Sequence, residues 1–113
     1  MFNIDLTDSY TFPIVVEIAS DGGRYDKLTF DATFKRFEAD EVAEIMRQIR
    51  DGETTDKEVG SKILVGWKGI VDKSGQAVPF SEGAREVVFN KIGVLPAVIR
   101  TWAESLRGVK AKN

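Results

Sequence analysis

The residue types that most often carry acid–base or metal chemistry are missing from this sequence. Its 113 residues include no histidine and no cysteine, so the commonest general base, the thiol nucleophile and the usual zinc ligands are absent. Carboxylates remain, and Asp40 and Glu44 stand four residues apart, on one face of a predicted helix. They would supply half of a carboxylate metal site. Because every further ligand would also have to be a carboxylate, a solvated helix N-terminus is the favoured interpretation.

Short stretches resemble catalytic or binding signatures without completing them. Asp72-Lys73-Ser74-Gly75 lacks the alternating acidic ligands of a calcium loop and is typical of a turn. Gly60-Ser61-Lys62 reverses the residue order of a phosphate-binding P-loop. No serine has the surroundings of a known hydrolase nucleophile, although a Ser–Lys pair assembled by tertiary folding stays open. The sequence therefore predicts a protein that is not an enzyme, with no catalytic, cofactor or metal site.

Charge is distributed unevenly, although the formal net charge is only −2. Residues 1–58 carry 14 acidic and 7 basic side chains, a net of −7, and residues 59–113 carry 4 acidic and 9 basic ones, a net of +5. Either the solvated surface is simply uneven, or the asymmetry orients partners and favours head-to-tail self-association. Because the basic residues are dispersed and the net charge is small, the sequence predicts no nucleic-acid partner.

No targeting or membrane segment is expected. The N-terminal residues lack the basic and apolar regions of a signal peptide. No run approaches the roughly 20 apolar residues that span a bilayer. The sequence therefore predicts an intracellular protein without membrane contact.

The N-terminal part of the chain has the pattern of a β-hairpin. Apolar and polar residues alternate over 12–20 and 25–36, which predicts two half-buried strands. Asp21-Gly22-Gly23 between them suits a tight turn. Pro13 fits the first position of a strand or an edge strand. Two strands alone are marginal in water, so a helix or another chain must cover their apolar face.

The rest of the chain changes to a helical period, which predicts an α+β fold: one hairpin followed by about four short helices. The helices are expected over 39–50, from 55 to before 69, over 82–91 and over 95–107. A single domain spans 1–113, with 1–11 and 108–113 as loose termini. The residues expected to face inward are Val42, Ile45, Met46 and Ile49, then Val59, Ile63 and Trp67, then Ala84, Val87, Val88 and Ile92, and finally Leu95, Ile99, Trp102 and Leu106.

Two surfaces are candidates for partner binding. The stripe formed by Val42, Ile45, Met46 and Ile49 has the spacing of an apolar groove for an amphipathic helix, with Met46 as an adaptable contact. Alternatively these residues are core, which is favoured for most of them because a small domain has little apolar surface to spare. The other candidate is the hairpin, through its edge and the surrounding aromatic side chains, which are Phe2, Tyr10, Phe12 and Phe37.

One segment resembles a known family. The order and spacing of Trp67, Gly69, Asp72, Gly75, Val78, Pro79, Phe80 and Ser81 are similar to a motif of the tail assembly chaperones of long-tailed bacteriophages. In that family a Trp-x-Gly turn precedes an Asp–Gly loop and a Val-Pro-Phe-Ser helix start, and a proline often opens the last helix, as Pro96 does here. The resemblance covers residues 62–106. Each motif residue also has an ordinary structural use, as a core anchor, turn, helix block or cap.

The resemblance implies a role without catalysis. Such chaperones coat the tape measure protein, keep its apolar surface from aggregating and help recruit tail tube subunits, in the cytoplasm of the bacterial host. They are absent from the mature virion. Two other classes stay open: a structural tail or neck morphogenesis subunit retained in the virion, and a small regulatory binding protein.

Overall fold

The structure differs from the predicted order of elements in one respect, which is a third strand inside the region predicted to be helical. The computed structural model describes residues 1–108, so all but the first residue of the predicted loose terminus at 108–113 lies outside them. Within 1–108 the chain forms three strands and four helices, which confirms the α+β class. In chain order the elements are β1 (Ser9–Ser20), β2 (Arg24–Lys35), α1 (Ala39–Arg50), α2 (Asp56–Ile63), β3 (Leu64–Lys68), α3 (Glu82–Phe89) and α4 (Val94–Ser105).

β1 and β2 form the predicted hairpin and pair antiparallel along their whole lengths. A 3-10 turn over Asp21–Gly23 joins them, and both of its glycines adopt a φ of +76°. β1 begins at Ser9, so the prediction of a loose terminus over 1–11 is wrong for its last three residues. They are ordered because Tyr10 packs against Phe34, and its hydroxyl lies 2.7 Å from Ser105 Oγ on α4.

β3 replaces the predicted end of the second helix. The sequence pattern extends that helix through Trp67, whereas α2 ends at Ile63. Gly66 weakens a helix at this point, and pairing with β2 satisfies backbone groups that would otherwise be exposed on that strand. Trp67 lies opposite Ala32 and is 8% exposed. Its inward position is therefore predicted correctly, and its secondary structure is not.

The helices cover one face of the sheet and bury a single apolar cluster. α4 packs against β1 and α2, and Trp102 in its C-terminal half is fully buried. The buried members of the cluster are Ile14, Val16, Phe30, Ala32, Phe34, Ile45, Val59, Ile63, Leu64, Trp67, Phe89, Val94, Ala97, Val98 and Trp102.

Five residues predicted to face inward are exposed instead, namely Met46, Ile49, Val87, Ile92 and Leu106. α3 ends at Phe89, two residues before the predicted end, and Phe89 is the residue of that helix that enters the core. Ile92 consequently falls in the turn that precedes α4. Leu106 lies one residue beyond the last residue of α4.

The sheet has two edge strands, β1 and β3, and Pro13 lies on the first of them. The Arg36 amide donates to the Asp8 carbonyl at 2.8 Å. Because hydrogen-bonded and non-hydrogen-bonded pairs alternate in an antiparallel ladder, even-numbered residues of β1 bond to β2 and odd-numbered ones face the free edge. Pro13 therefore removes no bond from the sheet, and its predicted edge position is confirmed.

Candidate functional site

α1 is the helix least integrated into the core. It makes only sparse contacts with the other elements, although its pattern is strongly amphipathic. Of the four residues in its apolar stripe, Ile45 is buried and Val42 is partly buried, whereas Met46 and Ile49 are 36% and 40% exposed. The expectation that most of the stripe is core is therefore met fully by Ile45 and in part by Val42, and it is not met by Met46 and Ile49. Half of the stripe faces outward.

An open cleft of about 550 Å³ separates the N-terminal half of α1 from the sheet and α2. Phe37 and Ile45 provide its apolar wall. Phe37 packs edge-on against the buried Trp102, with ring centroids 6.4 Å apart, so this wall is anchored to the core. The charged residues that line the cleft are Lys35 and Lys62 on one side and Asp40, Glu41 and Glu44 on the helix.

The carboxylates of α1 are arranged for ion pairing. Glu44 and Glu53 accept hydrogen bonds from Arg47 at 2.8 Å, and Asp51 accepts one at 3.1 Å. These bonds lower the pKa of Glu44 and of Glu53 and raise the pKa of the Arg47 guanidinium. The network links α1 to the loop that follows it.

The pair of Asp40 and Glu44 belongs to the rim of this cleft. Within residues 1–108 no group of three or more acidic side chains is placed to hold a metal ion. In the same part of the chain, no helix has both the length and the apolar composition needed to cross a membrane. The sequence does not predict that Lys35 and Lys62 line the cleft, because the pattern of α1 does not show which residues of other elements this helix approaches.

The segment that carries the family-like motif, from Trp67 to Ser81, connects β3 to α3 and supports both elements. Trp67 Nε1 donates to the Val78 carbonyl at 2.8 Å, and the Phe80 ring meets the indole edge-on at 4.9 Å. Ser81 caps α3, since its Oγ accepts from the Ala84 amide at 3.0 Å. The two motif glycines, Gly69 and Gly75, have φ values of +91° and +82°. Pro79 is exposed at the surface between Val78 and Phe80.

Asp72 organises the turn inside this motif. Its Oδ1 accepts from the Ser74 amide at 2.8 Å and from the Gln76 amide at 3.1 Å. These backbone hydrogen bonds, the one from Gln76 first, lower the pKa of the Asp72 carboxyl. All eight motif residues therefore have structural roles or lie between residues that have them. They stabilise α3 and β3, and none of them lines the cleft beside α1.

No protein-family model, curated protein or solved structure matches this chain.

Replacing Asp72 with asparagine should remove a pH-dependent contribution to stability. Because its pKa is lower in the folded chain, the carboxylate's contribution is complete above the ordinary pKa and is lost as the pH falls through the lowered folded value. The difference in unfolding free energy between wild type and D72N should therefore be constant near neutrality and shrink only in acid. Urea denaturation from about pH 7 to about pH 2 measures it.

The matched control is Asp26→Asn, at an exposed carboxyl near the far end of the hairpin. That variant should follow the wild-type profile closely. If D72N also followed the wild type at every pH, the hydrogen bonds from Ser74 and Gln76 would contribute nothing that depends on the charge of Asp72.

Proposed function

We propose that this protein is a non-enzymatic tail assembly chaperone of a long-tailed bacteriophage, which binds the tape measure protein through α1 and the adjoining cleft. The observation that carries the proposal is the outward-facing half of the α1 stripe beside an open, partly apolar cleft. The identity of the partner rests on the resemblance of residues 62–106 to that family. The role needs an apolar binding surface and no catalytic group.

The apolar surface suits an amphipathic helix. Met46 and Ile49 lie one turn or less apart on α1, and Ile45 extends the same surface into the cleft. A partner helix would place its apolar positions along this line, as in other helix-in-groove complexes. The methionine side chain can repack against many apolar sequences, which suits a partner that is long and repetitive in pattern.

The charges around the cleft support the same arrangement. Lys35 and Lys62 stand across from Asp40, Glu41 and Glu44, so both signs line one opening. An amphipathic helix with mixed charges beside its apolar face would find opposite charges on either side. Such rim contacts affect partner choice and association rate more than affinity.

The place of action follows from the same proposal. The chaperone works in the cytoplasm of the bacterial host, self-associates, helps recruit the major tail tube protein and is not retained in the mature virion. It binds neither nucleic acid nor membrane. Within this proposal the apolar stripe of α1 shields the tape measure protein until the tube assembles around it.

Co-expression with the large helical protein encoded downstream of the gene tests the proposal. Wild type should keep that protein soluble and co-elute with it in size-exclusion chromatography with light scattering. The double variant M46S/I49S should reduce the co-eluting amount about tenfold, because apolar anchors at the centre of an interface carry most of its binding energy. Both side chains are exposed, so the variant should fold, which circular dichroism checks.

The matched control is V87S/I92S, which replaces two exposed apolar side chains near α3 and should behave as wild type. Equal losses in both double variants would contradict binding through α1. A partner that aggregates whether or not this chain is present would contradict chaperoning altogether. Mass spectrometry of purified particles should find no copies, and abundant copies would instead favour a structural tail or neck subunit.

A further inference from the structure

The first residues of the chain have strand character without a strand partner. Phe2, Ile4 and Leu6 alternate with polar residues and are 80%, 81% and 59% exposed. Alternation with a period of two is the pattern of a strand that buries one face. We call residues 2–7 the N-terminal arm. Its apolar face is solvent-exposed in the single chain.

The outer edge of β3 has the geometry to receive such an arm at Trp67, whereas the Leu64 carbonyl of the same strand already accepts from Arg85 Nη1 at 3.2 Å. β2 residues that do not bond to β1 bond to β3, so Gly66 and Lys68 direct their backbone groups toward β2, opposite Thr33 and Asp31. The N–H and C=O of Trp67 consequently point away from the sheet. The Trp67 side chain is on the core face, whereas Lys68 is exposed on the opposite face.

The charges of the two segments are complementary. Residues 1–8 include Asp5 and Asp8 and no lysine or arginine, and residues 62–73 around β3 include three lysines and one aspartate. The acidic residue at the centre of the arm is Asp5. The lysine at the end of the receiving strand is Lys68.

We propose that the N-terminal arm of one copy adds to the β3 edge of a second copy as an antiparallel strand, with Leu6 opposite Trp67 and Asp5 opposite Lys68. In this register Leu6 falls on the core face and Asp5 and Thr7 on the exposed face, whereas Phe2 and Ile4 continue past Lys68, the last residue of β3. Leu6 and Trp67 exchange two backbone hydrogen bonds. Leu6 also extends the contact between Trp67 and the half-buried Phe80.

The arm cannot reach this position on its own sheet. A strand added beyond β3 lies three strand spacings from β1, about 14 Å. In the proposed register Thr7 is opposite Gly66, and two residues of extended chain between Thr7 and Ser9 span at most about 7 Å. Thr7 is also held at the end of β2, where its carbonyl accepts from Arg36 Nε at 2.9 Å. The receiving edge must therefore belong to another copy.

The single chain holds the arm in a bent form that strand addition would open. The Leu6 amide donates to the Ile4 carbonyl at 3.2 Å, and the Asp5 amide to Asn3 Oδ1 at 2.9 Å. Both bonds are local and exposed, and extension exchanges them for bonds to the second copy. Since each copy carries one arm and one β3 edge, the contact is head-to-tail, and association should depend on concentration. This inference stands independently of the tape measure protein.

A charge exchange tests the proposed register. By sedimentation velocity at about 50 mM salt, wild type should associate increasingly with concentration, and D5K and K68E should each associate about fivefold more weakly. An equimolar mixture of D5K and K68E should associate again, because the D5K arm then meets the K68E edge and each wild-type arm meets a wild-type edge. The double variant D5K/K68E should also associate.

Two further variants separate the apolar contact from folding. F2S/I4S/L6S should remain folded by circular dichroism and monomeric at every concentration, whereas the matched variant N3S/T7S, on the polar face of the arm, should associate as wild type. A wild type that stays monomeric would overturn the proposal. So would association that F2S/I4S/L6S leaves unchanged, or single charge variants that the mixture does not rescue. Purification tags are kept away from residue 1.

Discussion

Replacing Trp102 with alanine should lower the free energy of unfolding by about 3–5 kcal/mol, the range of large aromatic truncations in a packed core. Trp102 is fully buried, and its contacts connect α4 to the segment before α1 and, through Ser105, to β1. Its ring meets Phe37 at 6.4 Å. Its carbonyl accepts from Ser105 Oγ at 2.6 Å, and that hydroxyl in turn contacts Tyr10 on β1. The cavity would open where α4, the sheet and the wall of the cleft meet.

Urea denaturation followed by circular dichroism measures this loss. W102F should cost less than W102A, because the phenyl ring keeps most of the volume. The indole Nε1 of Trp102 is buried without a hydrogen-bond partner among the described residues, so its removal breaks no hydrogen bond. Tyr25→Ala, at an exposed aromatic residue of the hairpin, is the control and should change stability by less than about 0.5 kcal/mol. A W102A variant as stable as this control would contradict the burial of Trp102.

The elements that the sequence predicts correctly are those with a clear local period. β1, β2 and α1 each carry four or more regularly spaced apolar residues, and their ends differ by three residues or less from the prediction. β3 lacks such a signal, because five residues are too few to show a period and Val59, Ile63 and Trp67 also fit a helical one. The secondary structure of this segment is decided by its pairing with β2, which connects residues at least 30 positions apart.

The candidate site follows the same division. The amphipathic pattern of α1 predicts its stripe, but the degree of burial depends on how far α1 stands from the sheet. No local sequence pattern encodes that distance. For the same reason the sequence does not predict that Lys35 and Lys62 line the cleft. The capping role of Ser81 is different, because its hydroxyl accepts from the amide three residues ahead. Such a short-range contact can be predicted from the sequence.

Replacing Gly60 with valine should destabilise the protein by about 2–3 kcal/mol, as overpacking does in other cores. Gly60 is buried in α2, where a Cβ atom would lie 2.6 Å from Leu95 Cδ1 and 3.0 Å from Phe89 Cε2. The missing side chain therefore allows α2 to approach α4 and the end of α3. Leu95 can rotate away from a methyl group, but the Phe89 ring is part of the core and has less freedom.

The matched control is the same change at Gly83 in α3, where a Cβ would meet no atom within 4 Å. Glycine-to-valine changes helix propensity equally at both sites, so the difference in unfolding free energy between G60V and G83V isolates the packing cost. If Leu95 accounts for part of that cost, G60V/L95A should be less destabilised than the sum of its two single variants. Equal stabilities of G60V and G83V would mean that α2 and α4 do not meet at Gly60. Because Lys62 lies on the same helix, a displaced α2 should also move one rim of the cleft, and G60V should bind the proposed partner more weakly than G83V does.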